Sequence, residues 1–424
     1  MIAKIINTVV VKVLLALLSI FLLLLNSNYL GAVGLGTIAL IVLEIAIYLL
    51  ISNLVTGGSL VYYASRIETT ELFIISYSWM ATITLLLYFT LSYFPFLSIE
   101  YLDHILLLGL IQSGVSTHIN LLAGKQQIKP FNFTSLIQGL VQVLSLSYFY
   151  FILKEKTVIS FIYSTYIAYT AAYIYSLLKL LSYLKFKVLL PKKNTFSAVI
   201  QYGFFIQTAN ISQLLNYRLS YFLLEYYSGR SAIGQFTAGV QLSEGILLPS
   251  KSIGIVQYSR LSNTKSILKS AGLTLTLLKL SFIITLPFLL ILIAIPNYLF
   301  VALLGEDFGM TSVVIGLMSV GIIMLASEVI LSRFFSGSGH QKVNASSSTL
   351  GLIATLIFGF LLIPTFGFKG AAITYSLSFS AMFIYMLFKF KQITGIRYQR
   401  FLISTSDLQL IYRVARRFGR RVRN

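Results

Sequence analysis

Apolar residues in this chain gather in long unbroken runs, not at the helical or strand periods of a soluble core. "VVVKVLLALLSIFLLLL" (9–25) is one such run. Crossing a bilayer takes about 20 apolar residues in a helix. A window of about 19 residues finds twelve segments, at 5–27, 35–62, 72–97, 104–124, 132–153, 157–183, 197–226, 232–257, 268–295, 311–336, 346–365 and 368–389. Spans of this length must be helices, because hydrocarbon tolerates neither open sheet edges nor unpaired backbone. The pattern predicts an all-α polytopic membrane protein. The first run follows a basic start, but its apolar core is long and no small-x-small site follows closely. It reads as a retained span, not a signal peptide.

Composition agrees: 57% of residues are hydrophobic and only 10% charged. A net charge of +20 would point to nucleic acid in a soluble protein; here it follows topology, and no nucleic-acid partner is expected. Loops on one side carry Arg66, Lys125, Lys129, Lys185, Lys187, Lys192, Lys193, Arg260, Lys265, Lys269 and Lys342. With Lys4 these make twelve basic residues, against four (Lys154, Lys156, Arg230, Lys369) on the other side, beside Glu100, Asp103, Glu155, Glu306 and Asp307. The positive-inside rule then puts both termini in the cytoplasm. The tail from 389 to 424 has ten basic residues and one acid. It reads either as an interfacial helix from Asp407 lying on anionic lipid or as a basic tail that reinforces orientation. There are no cysteines, and His104, His118 and His340 lack ligand spacing, so they read as packing or interfacial residues and no metal is expected. No G-x-x-x-x-G-K-[ST] loop occurs, so neither ATP hydrolysis nor any cofactor is expected.

Two halves show self-similarity. "YLGAVGLGTIAL" (29–40) aligns with "YSGRSAIGQFTA" (227–238), pairing Gly31 with Gly229 and Gly36 with Gly234; "GKQQIK" (124–129) aligns with "GHQKVN" (339–344). Six spans per half make the repeats parallel, related by an axis along the membrane normal. The expected plan is a six-helix lobe over 1–190, a second over 195–390 and a cytoplasmic tail over 391–424, with a substrate path between the lobes.

Polar residues inside the spans share faces. At 100° per residue, Gln207, Asn210, Tyr217, Arg218, Tyr221 and Glu225 of span seven fall within about 100° of arc. Thr237, Gln241, Glu244, Lys251 and Tyr258 do the same in span eight, Thr8, Lys12, Ser19 and Asn26 in span one, and Thr37, Glu44 and Tyr48 in span two. Lys279 lies well inside span nine. Intramembrane charge costs about 2.5–3.5 kcal/mol per residue on insertion scales, so these stripes read as the lining of a hydrated cavity. Lys12 and Lys251 are also near enough to the surface to snorkel. Arg333 reads as an anchor and Glu328 as a helix-packing acid, protonated and silent; Glu225, near the outer interface, stays open. Four cations (Lys12, Arg218, Lys251, Lys279) against few acids favour an anionic substrate, with Glu44 and Glu244 as candidates for ion coupling and Gln207, Asn210 and Tyr221 as polar lining. Tyrosines offer surfaces for sugar rings.

The stretch "LNYRLSYFLLEYYSGRSAIGQFTAGVQLSEGILLPSKSIGIVQYSRLSN" (215–263) resembles the polysaccharide-transport family, the O-antigen and capsule oligosaccharide flippases of the multidrug/oligosaccharidyl-lipid/polysaccharide superfamily. Asn216, Arg218, Gly234, Glu244 and Pro249 carry the likeness; Ser220 stands where the family often has Asp, and "GQFTAG" replaces its Gly-x-Tyr-Ser-x-Ala turn. Further on, "GSGHQKVNASSSTLGLIATLIFGFLLIPTFGFKGAAITYSLS" (337–378) is similar through Ile363, Pro364, Gly367, Gly370, Ala371 and Ala372. The resemblance implies a MATE-like fold and transfer of an undecaprenyl-pyrophosphate-linked oligosaccharide across a bacterial inner membrane. It also implies alternating access, ion-gradient coupling, and work beside membrane lipids, a polysaccharide polymerase and a chain-length regulator. Three rivals are weighed. A multidrug exporter of the same superfamily should have an acidic lumen. A polymerase or ligase should have a large basic outer loop, and a lipid II flippase two further spans.

Overall fold

A computed structural model describes residues 2–93, 100–185, 193–261, 266–396 and 400. They are helical almost throughout: α1 (Ile2–Thr56), α2 (Gly58–Tyr63), α3 (Thr69–Tyr93), α4 (Leu102–Gly124), α5 (Ile128–Ser147), α6 (Val158–Leu181), α7 (Lys193–Ile246), α8 (Leu248–Leu261), α9 (Ile267–Ala294), α10 (Asn297–Leu304), α11 (Thr311–Gly337) and α12 (Gln341–Thr394). A π turn (Tyr148–Ile152) extends α5, and a 3₁₀ turn (Glu306–Phe308) follows α10. Among the described residues no strand occurs, and seven helices are long and apolar enough to cross a membrane. The chain is a multi-pass, all-helical membrane protein. The basic tail beyond Arg400 lies outside the described residues.

Three helices are too long to be single spans. α1 has 55 residues, and α7 and α12 have 54 each. At 1.5 Å per residue a straight helix of that size would reach about 80 Å, against about 30 Å of hydrocarbon. Each is broken at one glycine: Gly31 (φ 64°), Gly229 (φ 78°) and Gly367 (φ 55°). A side chain at positive φ would press its Cβ on the following carbonyl, so glycine lets one span end and the next begin without a loop. Counting each side of the breaks gives the twelve expected spans. Gly31 and Gly229 are the two residues paired by the internal alignment.

Two spans expected to be continuous are interrupted. Span two stops at Gly57 and resumes as α2, and span eight is broken at Leu247, between α7 and α8. The second break has a covalent cause. Pro249 lacks an N–H and its ring crowds the carbonyl four residues back; the chain tightens there, with Leu247 N donating to Glu244 O at 3.2 Å. α10 lies outside the expected spans, between the ninth and the tenth.

Two compact units emerge. The first comprises Met1–Leu214, Arg230–Thr237 and Leu303–Asp307; the second comprises Leu215–Gly229, Ala238–Ala302 and Phe308–Asn424. In the first, Val55, Leu60, Leu72, Ile75, Leu121, Leu122, Leu180 and Val199 form a buried cluster. In the second, Leu275, Leu278, Ile330, Phe334, Phe335, Met386 and Phe390 do so. Lipid is as apolar as leucine, so close packing and interhelical hydrogen bonds must hold membrane helices together. α11 and α12 show both: Gly321 lets the backbone of Ser376 approach until a Cβ would sit 2.7 Å from its Cα, and Gly321 N donates to Ser376 Oγ at 3.1 Å.

Candidate functional site

Arg218 lies in the part of α7 assigned to the second unit, half-buried. Tyr221 follows it by three residues, a spacing that puts both on one helix face. Its ring is fully buried, so its hydroxyl needs a partner inside the protein. Arg218 Nη1 donates to Tyr221 Oη at 2.7 Å, and the guanidinium carbon is 5.0 Å from the ring centroid. The tyrosine thus fixes the cation twice, by hydrogen bond and by its π face. Such a guanidinium can take phosphate or carboxylate oxygens two at a time.

A second pair of expected residues also meets, in the first unit: Asn210 Nδ2 donates to Gln207 Oε1 at 2.7 Å, with Gln207 buried and Asn210 exposed. Of the rest, Lys12 on α1 is exposed and Glu44, farther along α1, is half-buried, both in the first unit. Glu244 near the end of α7 and Lys279 in α9 are half-buried, and Lys251 in α8 is exposed, all in the second unit. Exposure of Lys12 and Lys251 fits a hydrated lining and a snorkelling side chain equally.

Two buried polar knots were not foreseen as sites. In the second unit Thr355 Oγ1 lies 2.7 Å from Asn216 Oδ1 and 2.8 Å from Ser378 Oγ, all three buried. The amide oxygen only accepts, so Thr355 donates to it. In the first unit His118, expected as a packing residue, is fully buried, with Nε2 2.8 Å from Tyr77 Oη and Nδ1 2.8 Å from Ser176 Oγ. The imidazole thus bridges Tyr77 and Ser176, and Ser176 Oγ also reaches Tyr173 O at 3.0 Å. Both knots satisfy their members and tie three helical segments each.

No protein-family profile matches the chain. Over 87 residues, 20% of its length, it is 33% identical to the capsular polysaccharide biosynthesis protein CapF of Staphylococcus aureus, of which it covers 22%. The chain spans less than half the length of the curated relatives it matches. Likeness in three dimensions extends much further. Lipid II flippase MurJ, in an inward closed conformation, matches with a TM-score of 0.74 at 15% identity, covering 97% of this chain and 92% of that one. An inward-facing multidrug resistance MATE family transporter of the MOP superfamily matches with a TM-score of 0.72 at 14% identity, covering 91% of this chain and 98% of that one. Both of these structures are transport proteins, and at such identities what is shared is the fold. The chain therefore has the MATE-like helical fold that MATE transporters and MurJ have in common.

Proposed function

We propose that the chain is a flippase. It carries an undecaprenyl-pyrophosphate-linked oligosaccharide, the repeat unit of an O-antigen, capsule or exopolysaccharide, from the inner to the outer leaflet of a bacterial plasma membrane. The observation that carries this reading is Arg218, a half-buried cation in the expected seventh span, held in place by a buried tyrosine. A charge so placed costs several kcal/mol to insert (about 2.5–3.5 on translocon scales), and an anion that must cross the bilayer accounts for that cost. Lys12, Lys251 and Lys279 add positive charge, and Gln207, Asn210 and Tyr221 supply polar surface. Glu44 and Glu244 are the groups that would couple opening to an ion gradient. A polyprenyl tail stays in lipid while the pyrophosphate passes along the cations. Similarity to a capsular polysaccharide biosynthesis protein and to a lipid II flippase supports a lipid-linked substrate. The excess of cations weighs against cationic drugs as cargo. A polysaccharide polymerase and a chain-length regulator are the partners such a flippase would work beside, with both its termini in the cytoplasm.

The test is surface glycan in cells that depend on this chain for export. Arg218→Ala abolishes surface glycan while the protein inserts at normal abundance, and Arg218→Lys retains part of it. Full glycan display by a well-expressed Arg218→Ala protein would sink the proposal.

A further inference from the structure

The interruption at Gly57 leaves the carbonyl of Thr56 at a helix end, where it needs a partner from outside the helix. α4 supplies one. Asn120 Nδ2 donates to Thr56 O at 2.9 Å and to Ser116 Oγ at 3.2 Å. On α1, Asn53 Oδ1 accepts from Ser116 Oγ and from Thr56 Oγ1, both at 3.0 Å. Ser52 and Ser113 pair beside them and are fully buried. Each amide therefore uses only one end. Both hydrogens of Asn120 are engaged, while its Oδ1 meets no donor among the described residues; the oxygen of Asn53 is engaged, while its Nδ2 meets no acceptor. One free acceptor and one free donor thus stand on residues tied to the same hydroxyl, Ser116. All three residues are half-buried and belong to the first unit. Hydrocarbon does not tolerate unpaired polar groups, so the two free atoms face water or a polar ligand. A second amide pair adjoins them. A Cβ on Gly203 would overlap the carbonyl oxygen of Leu54, so α7 presses its main chain on α1 one residue beyond Asn53. Gln207, bonded to Asn210, follows Gly203 by one turn on the same face.

We propose that Asn53, Ser116 and Asn120 form an uncharged subsite for the sugar part of the substrate, distinct in chemistry from the cation that suits its phosphate. The inference rests on the flippase reading and adds to it the groups that read the glycan. A sugar hydroxyl both donates and accepts, and an acetamido group offers one N–H and one C=O. Either matches a free amide Nδ2 beside a free amide Oδ1. A few placed polar groups of this kind fix a ligand's orientation and supply specificity. The free atoms are held ready, because Ser116 and the Thr56 carbonyl fix both amides before any ligand arrives. The subsite lies toward the end of the first unit that carries Arg66 and Lys125, the end that the loop charges place in the cytoplasm, where a glycan built on its lipid would enter.

Two probes separate sugar from phosphate. One is the undecaprenyl-pyrophosphate-linked oligosaccharide isolated from the cells in which this chain acts; the other is undecaprenyl pyrophosphate alone. Their dissociation constants are measured on the full chain in lipid nanodiscs, and the readout is the ratio of the two. The parent binds the sugar-bearing lipid about tenfold more tightly, as two neutral hydrogen bonds allow. Asn53→Leu removes the free donor and narrows that ratio about fivefold, the effect of one such bond. Asn120→Leu removes the free acceptor and narrows it as far, but also uncaps Thr56, so Ser116→Ala serves as a milder second variant. It unties both amides and narrows the ratio about threefold. A cluster that only braces the interruption at Gly57 would lower thermal stability and move both affinities together. A ratio held at the parent's value in Asn53→Leu and Ser116→Ala therefore overturns the subsite. Equal affinity of the parent for the two lipids overturns the subsite and leaves the flippase reading in place. A parent chain that binds neither lipid removes that reading, and the subsite with it.

Discussion

At the scale of the residue, the account turns on a cation and the ring that holds it. Tyr221→Phe keeps the buried ring and removes the oxygen that accepts from Arg218 at 2.7 Å. A hydrogen bond to a charged group is worth about 1.5–3 kcal/mol, so transport in this variant falls roughly tenfold while abundance holds. Equal export by Tyr221→Phe and the parent would mean the pair does not position the guanidinium. Glu244→Gln is argued on the same scale: it keeps the shape of a half-buried side chain and removes its charge, and transport should lose its dependence on a proton gradient. Survival of both transport and that dependence would move the coupling role to Glu44. Arg218 was legible in the sequence because one charge interrupts an uncharged run. Asn216, Thr355 and Ser378 were not legible as a knot. Small neutral polar residues are ordinary in helices, where hydroxyls return to their own backbone, and only the meeting of separate helices makes three of them a network.

At the scale of the element, glycine sets the boundaries. Gly31 and Gly229 share a positive φ but not their surroundings. A Cβ at Gly229 meets nothing within 4 Å, whereas one at Gly31 would sit 2.7 Å from Asp307 Oδ2. Gly229→Ala therefore carries only the cost of a positive φ with an extended ψ, a conformation essentially confined to glycine, about 1–3 kcal/mol. Gly31→Ala carries that cost and a displaced Asp307 as well. Thermal unfolding of the two purified variants should rank Gly31→Ala clearly below Gly229→Ala; the reverse order would contradict this reading of the breaks. The internal alignment paired these two glycines, and both fall in gaps between expected spans, but only the backbone angles make them breaks. The Pro249 break and α10 were missed because an apolar window averages across a proline and cannot tell a short surface helix from a loop. Acid acts on the same elements through Glu100. The Arg230 hydrogen bond, with a second from Tyr101, holds the Glu100 carboxyl below its ordinary range. A lowered folded-state pKa means the pair's contribution is complete above the unfolded value, near 4 for such groups, and is lost as pH falls through the folded value. Thermal stability of the purified protein should stay flat from neutral pH to the top of the carboxylate range and fall only below it; the part-solvated pair keeps the fall small. A fall near neutral pH would mean that another group controls it.

At the scale of the whole molecule, hydropathy and loop charge carried most of the fold. Twelve apolar runs became twelve helical segments, because hydrocarbon leaves the backbone no other way to pair its polar groups. Orientation rests on the charge bias alone. Single cysteines at Lys192, Glu100 and Asp307 in the cysteine-free chain test it with an impermeant thiol reagent: Glu100→Cys and Asp307→Cys react from outside intact cells and Lys192→Cys does not. The reverse pattern would invert the topology. Substrate is the least legible property, since a lining built for an anion looks alike for any phosphate-bearing lipid. The most direct measurement of the central claim is therefore translocation by the purified protein. In proteoliposomes loaded with an undecaprenyl-pyrophosphate-linked oligosaccharide, the parent chain should move the glycan between leaflets and Arg218→Ala should leave it where it began. Translocation at the parent's rate by Arg218→Ala, or no movement of the glycan by a parent chain that does move cationic drugs, would contradict the account.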